Sequence, residues 1–341
     1  LDAFLAAKGI AFDELNNNPD TIAGLEKRLY TPLSNTLGAA SCSGIFFGLN
    51  VTANTSLPNA EDFRAGLYLR YSGLQPTVAS EQDVICFRGA AETARSLQLQ
   101  MHNRWNPELN AALIPGSDQV TAYQGARLAD GCLWTKRTEL PDTWEQVMLL
   151  CVPILDGGGT VRGFCGVEIS DLYFSLSHNT VPSAFGNMLT LAAPIDGDSL
   201  LLSGAMLGAT DGSRLTANGI LHISDGKYYT TYSDGKNTYL GRHQLLDAAT
   251  WDGIPPAAVT LVPDGTFRSY EKGSQIAWFL GAVLFLLAML VVATVLSRQF
   301  VKPINKSLAA VRGGAEMVAS GIPEIDELLA AIRERPTGTL P

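Results

Sequence analysis

Charge is scarce in this 341-residue chain. Lys, Arg, Asp and Glu make up 17% of it, and the balance is acidic, 33 Asp and Glu against 24 Lys and Arg. A net charge of −9 excludes nucleic acid as a partner of the bulk, because phosphate binding needs a basic face. Histidine occurs four times, never in a His-Glu-x-x-His array. Cys-x-x-Cys is absent, and so is a Gly-rich loop opening a helix to cradle phosphate. With neither metal ligands nor a nucleotide loop, no cofactor and no metal are expected, and no catalytic constellation points to an enzyme. Cysteine is also sparse: Cys42, Cys86, Cys132, Cys151 and Cys165. The odd count leaves at least one unpaired within a chain, and small apolar core thiols are the reading. A cross-strand Cys151–Cys165 disulfide is the alternative. Disorder of the bulk is excluded by an apolar content of 46%.

A mean hydropathy of +0.12 with so few charges places some apolar residues outside a water-soluble core. From Ile276 to Leu296 the chain reads IAWFLGAVLFLLAMLVVATVL, 21 residues without a charge. A helix of about 20 residues crosses a hydrocarbon layer of about 30 Å. Trp278 lies near its first end, where an indole prefers the headgroups. Arg298, Lys302, Lys306 and Arg312 follow the span with no acid between them, whereas Glu271 and Lys272 cancel before it. The positive-inside rule therefore puts residues 297–341 in the cytoplasm and 1–275 outside a plasma membrane, with lipid as a partner. The C-terminal piece holds six basic and five acidic residues of the 24 and 33, leaving 18 and 28, a net −10, for the outer part. An external region of that size needs an export signal. None opens at Leu1, so a preceding signal anchor is expected.

Residues 1–41 have helical spacing, with Asn16–Asn18 and Pro19-Asp20 as a break and restart and Pro32 as a kink. Gly44–Val51, Phe63–Tyr71 and Asp83–Phe87 read as strands, and Ala90–Met101 as a helix before a loop at 102–107. Two long apolar runs between Trp144 and Ser170 flank Asp156-Gly-Gly-Gly159, the pattern of an antiparallel hairpin. If the loop is the three glycines, Cys151 faces Cys165. A second strand set covers Met188–Ala193, Leu200–Met206, Gly219–Ile223, Lys227–Tyr232, Thr238–Leu240 and Ala257–Val262, with Asp225-Gly226 and Asp234-Gly235 as turns. The whole predicts an α+β fold: a helix over 1–41, a membrane-distal module over 42–180, a membrane-proximal module over 181–272, the span and a helical stub.

The run VPILDGGGTVRGFCGVEIS resembles the last two sheet strands of Cache domains, the PAS-like extracytoplasmic sensor modules of bacterial receptors. The order of helix, distal module, proximal module and span is similar to the double-Cache arrangement. Amino-acid-binding members carry an Arg-x-Trp-Tyr helix motif and a strand Asp; this chain has Arg104-Trp105 adjacent and Glu168 at the acid position. After the span, Lys302-Pro303-Ile304-Asn305-Lys306-Ser307-Leu308 resembles the opening of HAMP linkers, and Ile304, Leu308, Val311, Ala315 and Val318 follow a 4-3-4-3 seam that predicts a homodimer. The connector before Glu324–Leu328 is far shorter than in HAMP domains.

The resemblance implies a small-molecule ligand between sheet and covering helix, and signal transduction to an output domain beyond the cytoplasmic stub. Arg104 offers a guanidinium fork for a carboxylate. Trp105, Tyr123 and Trp134 offer walls or stacking faces, Glu168 an anchor for an ammonium or hydroxyls, and Asp171 a further acid. The competing roles are core anchors for the two indoles, an ion pair for Arg104 and a helix cap for Asp171. Gly197-Asp198-Ser199-Leu200 matches the nucleophile motif of GDSL hydrolases, and an anchored extracytoplasmic hydrolase is one alternative. No histidine stands three after an Asp, as that motif needs. A protein-binding or adhesion module without a small ligand is the other alternative.

Overall fold

The computed structural model describes residues 1–74, 83–114, 131–178, 188–208, 215, 219–226, 228–246, 249–250, 254–313, 319 and 321–333. They form an α+β protein that divides into two units, 1–267 and 268–341.

The first unit opens with α1 (Asp2–Lys8) and α2 (Pro19–Ala39). Gly9, in the left-handed conformation at φ 67°, ends α1. The Asn18 side chain accepts from the Thr21 N–H and Pro19 fills the first turn, so α2 restarts where the sequence predicts. Ten strands follow among the described residues: β1 (Gly44–Leu49), β2 (Phe63–Arg64), β3 (Gly66–Tyr71), β4 (Val84–Arg88), β5 (Gln100–Asn106), β6 (Leu109–Asn110), β7 (Leu133–Trp134), β8 (Thr138–Glu139), β9 (Gln146–Leu155) and β10 (Val161–Ser170). Two short helices interrupt and follow them, α3 (Ala91–Ser96) and α4 (Asp171–Ser177). The remaining strands are β11 (Leu189–Asp196), β12 (Ser199–Leu201), β13 (Met206–Leu207), β14 (Ile220–Asp225), β15 (Thr230–Ser233), β16 (Thr238–Leu245), β17 (Ala249–Thr250) and β18 (Pro256–Pro263). The first sheet runs β17-β7-β9-β10-β1-β3-β4-β5, with β8 beside β9. The second runs β12-β14-β15-β16-β18-β11-β13.

Strand alternation splits the first sheet into two packed faces. Ile45, Phe47, Leu49, Leu67, Leu69 and Cys86 join Ile22, Leu25 and Leu37 of α2 in one core. The intervening Phe46, Tyr68, Phe87, Leu149 and Phe164 form a second core on the other face with Leu109, Leu113 and Leu140. The second sheet has its own core, centred on Leu191, Tyr232, Val259 and Leu261. A small cluster of Met148, Phe174 and Met206 joins the two sheets, with Trp134 packed against it.

The β9–β10 hairpin is present, but its turn is Asp156–Thr160, closed by Asp156 N–H to the Thr160 carbonyl at 3.0 Å. A bulge between Val161 and Gly163 shifts the register by one, so Cys151 faces Gly166 and Cys165 faces Val152. Cys151 lies in the core beside Phe164, and Cys165 packs against the α2 core on the other face. The register therefore excludes the Cys151–Cys165 disulfide. The helix expected over Ala90–Met101 stops at Ser96; Gln98 adopts φ 53° and the chain turns into β5. Arg104 and Trp105 thus stand on an edge strand, not in a loop.

Among the described residues one helical run, Asp264–Ala310, is long and apolar enough to cross a membrane, with a mean hydropathy of 2.9 over its most apolar stretch. It takes in α5 (Asp264–Leu296), a π-helical turn Ser297–Val301 and most of α6 (Lys302–Gly313); α7 (Pro323–Arg333) follows separately. The seam residues Ala315 and Val318 lie outside the described residues.

Candidate functional site

Two arginines sit in strands that are otherwise apolar, GLYLRY and VICFR. A buried charge must find a partner, and both arginines do so on the sheet face of Tyr68 and Phe87. Gly44 pairs with Glu168 on one side and Arg70 on the other. Its missing side chain is what lets Arg70 reach across β1: a Cβ there would stand 2.9 Å from Glu168 Oε2 and 3.1 Å from Arg70 Cγ. Arg70 Nε lies 2.8 Å from Glu168 Oε2, and the Tyr68 and Ser43 hydroxyls each donate to that carboxylate at 2.6 Å. Glu168 is completely buried. Burial, followed by the Glu168 charge, pushes the Tyr68 phenol far above its ordinary range.

The outer side of this network faces a short exposed segment. Arg70 also pairs with Glu145 at 2.5 Å, an acid held below its usual range chiefly by that hydrogen bond. A register shift between Tyr68 and Leu69 places Arg88 opposite Tyr68. Its guanidinium carbon lies 3.8 Å from the Phe87 ring centroid, the Arg104 carbonyl accepts from it at 2.6 Å, and Asp142 pairs with it at 3.0 Å. Arg70 and Arg88 have side chains 6% and 3% exposed, while Glu145 and Asp142 are 42% and 62% exposed. His102 meets the edge of the Phe87 ring at 5.0 Å, and burial together with Arg70 lowers its pKa. The result is an aromatic floor holding two buried guanidiniums, covered by two exposed carboxylates.

The sequence-chosen residues do not converge on this floor. Glu168 is beneath it, fully engaged by Arg70, Tyr68 and Ser43, so its carboxylate anchors strands and is not free for an ammonium. Arg104 is exposed on β5, and its backbone N–H donates to His102 Nδ1 at 3.0 Å. Trp105 turns to the opposite sheet face, where its indole N–H donates to the Gly89 carbonyl at 3.1 Å. Trp134 packs at the junction of the two sheets. Asp171 is paired with Arg137, whose Nε lies 3.0 Å from it, while the helix cap is supplied by Ser170. Tyr123 lies outside the described residues. Arg70, Arg88, Phe87, His102, Asp142 and Glu145 were not among the chosen residues. The available signal was an arginine at an inward position of a buried strand.

The hydrolase alternative finds no support in geometry. Ser199 opens β12 at the tip of a hairpin, opposite Asp196 and His222. Among the described residues no hydrogen bond links its hydroxyl to His222, the arrangement a serine nucleophile needs. Among the described residues no group of three or more His, Cys, Asp or Glu is placed to hold a metal.

No family model matches the chain, and no curated protein does. Solved structures do. The ligand-binding domain of the Pseudomonas aeruginosa amino acid chemoreceptor PctB, in complex with L-Arg, is 13% identical with a TM-score of 0.33, covering 72% of this chain and 85% of that one. The periplasmic sensory domain of the Campylobacter jejuni chemoreceptor Tlp1 is 9% identical with a TM-score of 0.34, covering 78% and 93%. The periplasmic domain of RsbU from Chlamydia trachomatis is 11% identical with a TM-score of 0.32, covering 79% and 85%. Two of the three are described as a ligand-binding domain and a sensory domain, and the third as a periplasmic domain. At these TM-scores no side chain of this protein is matched to one of theirs.

Proposed function

We propose that the chain is the sensing part of a membrane-anchored bacterial receptor of double-Cache type, with residues 1–275 outside the cell and 297–341 in the cytoplasm. In this reading residues 42–180 are the membrane-distal module and 181–272 the membrane-proximal one. The ligand is a small carboxylate-bearing solute that takes the place of Asp142, or of Glu145, on the floor formed by Arg88, Arg70, Phe87 and His102. The observation that carries this is the pairing of two buried guanidiniums with two exposed carboxylates from one segment, 140–145. A ligand carboxylate accepts from the Arg88 Nη2 that Asp142 now uses, or from Arg70 as the bidentate fork Glu145 now makes, and its remainder packs on the aromatic rings. Exchange frees the covering segment, giving the two states of different affinity that signalling requires. The apolar helix and α6, whose start is HAMP-like, carry the difference inward in a dimer to an output domain.

Two substitutions test the site in the full chain embedded in nanodiscs, by calorimetric titration of a panel of amino acids and organic acids. Arg88→Lys keeps charge but loses the planar fork and should weaken a binding carboxylate about tenfold or more. Asp142→Asn removes the internal competitor and should tighten the same ligand severalfold; Asn suits the left-handed backbone of residue 142, φ 64°. Affinity unchanged by both variants would refute the exchange.

A further inference from the structure

A cavity of about 240 Å³ lies against the first turns of α2. Trp105 and Ala65, which help line it, belong to the α2-facing core, the opposite sheet face from Phe87. Its walls are apolar, built by Ile22, Ala23, Ala53 and Ala90 as well as the Trp105 indole. Two carboxylates line it that are 0% and 4% exposed, Glu26 and Glu108. Asp20 and Glu92 stand on the same lining, which includes no Lys, Arg or His. Glu92 is paired outward with Lys27 at 2.5 Å. Glu108 accepts from the Thr52 hydroxyl at 2.8 Å and the Ala53 N–H at 2.6 Å; Glu26 shares the Ala90 N–H, at 3.2 and 3.0 Å. Among the described residues neither buried carboxylate has an ion-pair partner.

Desolvated acids without a cation, walled by methyl groups and an indole, are complementary to an organic cation. A metal ion fits poorly, since hard cations need many converging oxygens and no such group of acids is present among the described residues. We propose that this cavity is a second ligand site, for a small aliphatic amine whose ammonium is held by Glu26 and Glu108 and whose chain packs on Trp105 and the alanine wall.

Burial, more than any other cause, pushes the Glu26 carboxyl up to about 8, and Glu108 adds to it. The other charged or titratable groups around it are Lys27 on its own helix, Glu92 on α3, Asp20 at the start of α2 and the Cys86 thiol on β4, itself pushed up to about 12 by burial. Near neutrality Glu26 therefore carries a proton, which passes to the buffer when an ammonium binds. Affinity should accordingly rise between pH 6 and pH 9, by about tenfold or more, while an alkylamine stays charged.

The test uses the full chain in nanodiscs and calorimetric titration with butylamine, with butanol as the uncharged isostere. Saturable butylamine binding that strengthens with pH is expected, together with loss of the pH dependence in Glu26→Gln and a loss of about tenfold or more in Glu108→Gln. Ala91→Leu, which narrows the cavity and leaves both acids in place, should also weaken it. Three results would each overturn the site: no saturation by about 10 mM butylamine at pH 9, equal binding of butanol, or affinity unchanged in both Gln variants. The organic-acid titration of Arg88→Lys reads the other sheet face, so the two sites stand or fall separately.

Discussion

Glu168 and Glu26 are both fully buried, and their surroundings give them opposite chemistry. Glu168 has a guanidinium and two hydroxyls. Glu26 has the Thr93 hydroxyl and one backbone N–H shared between its two oxygens, no guanidinium, and is raised by desolvation. Removing one partner of a buried ion pair leaves the other charge uncompensated, so Glu168→Gln should cost about 3 kcal/mol of unfolding free energy at pH 7, read by denaturant titration. Gly44→Ala should destabilise by a comparable amount, because a Cβ would press on that same carboxylate from 2.9 Å. For Glu26 the sign is reversed. Its folded-state pKa, about 8, exceeds the unfolded value, so the folded state holds the extra proton and its stability is lost as pH rises from about 4.5 to 8. The loss should reach roughly 5 kcal/mol, and Glu26→Gln should flatten it, making the variant more stable than the parent at pH 9 and little different at pH 4. Parallel stability–pH curves for the two proteins would contradict this assignment.

At the scale of elements, what the sequence reveals depends on how local the cause is. The caps at Gly9 and Asn18, the period-two strands on both sides of the Asp156 turn and the uncharged stretch from Ile276 to Leu296 all carry their signal within a few residues. The β5 strand does not. It is a polar edge strand, QMHNRWN, parallel to β4 and largely exposed, so no apolar alternation marks it and the preceding helical pattern runs on into it. The bulge near Arg162 is equally silent, yet it moves Cys151 to the opposite face from Cys165. Mass mapping of unreduced protein should therefore find no Cys151–Cys165 cross-link. For α6, the proposed seam makes a separate prediction. Leu308, 48% exposed, should form an oxidative cross-link between two copies in membranes when replaced by Cys, and absence of that dimer would contradict pairing through this face.

Over the whole molecule, the α+β class and the apolar helix were legible because they follow from patterning. The site was not, because its residues meet only through the fold: Ser43 and Glu168 are 125 positions apart, Tyr68 and Glu168 100, Arg70 and Glu145 75. Glu168 lies on the sheet face of the proposed site, and a single sequence shows an acid at a strand end but not the arginine facing it. The proposed receptor works only if a small carboxylate replaces Asp142 on the buried Arg88. The decisive experiment titrates the full chain in nanodiscs with the organic-acid panel, parent against Asp142→Asn. A carboxylate should bind the parent and bind the Asn variant severalfold more tightly; a ligand whose affinity is the same or weaker in Asp142→Asn, or no ligand in either, would overturn the exchange.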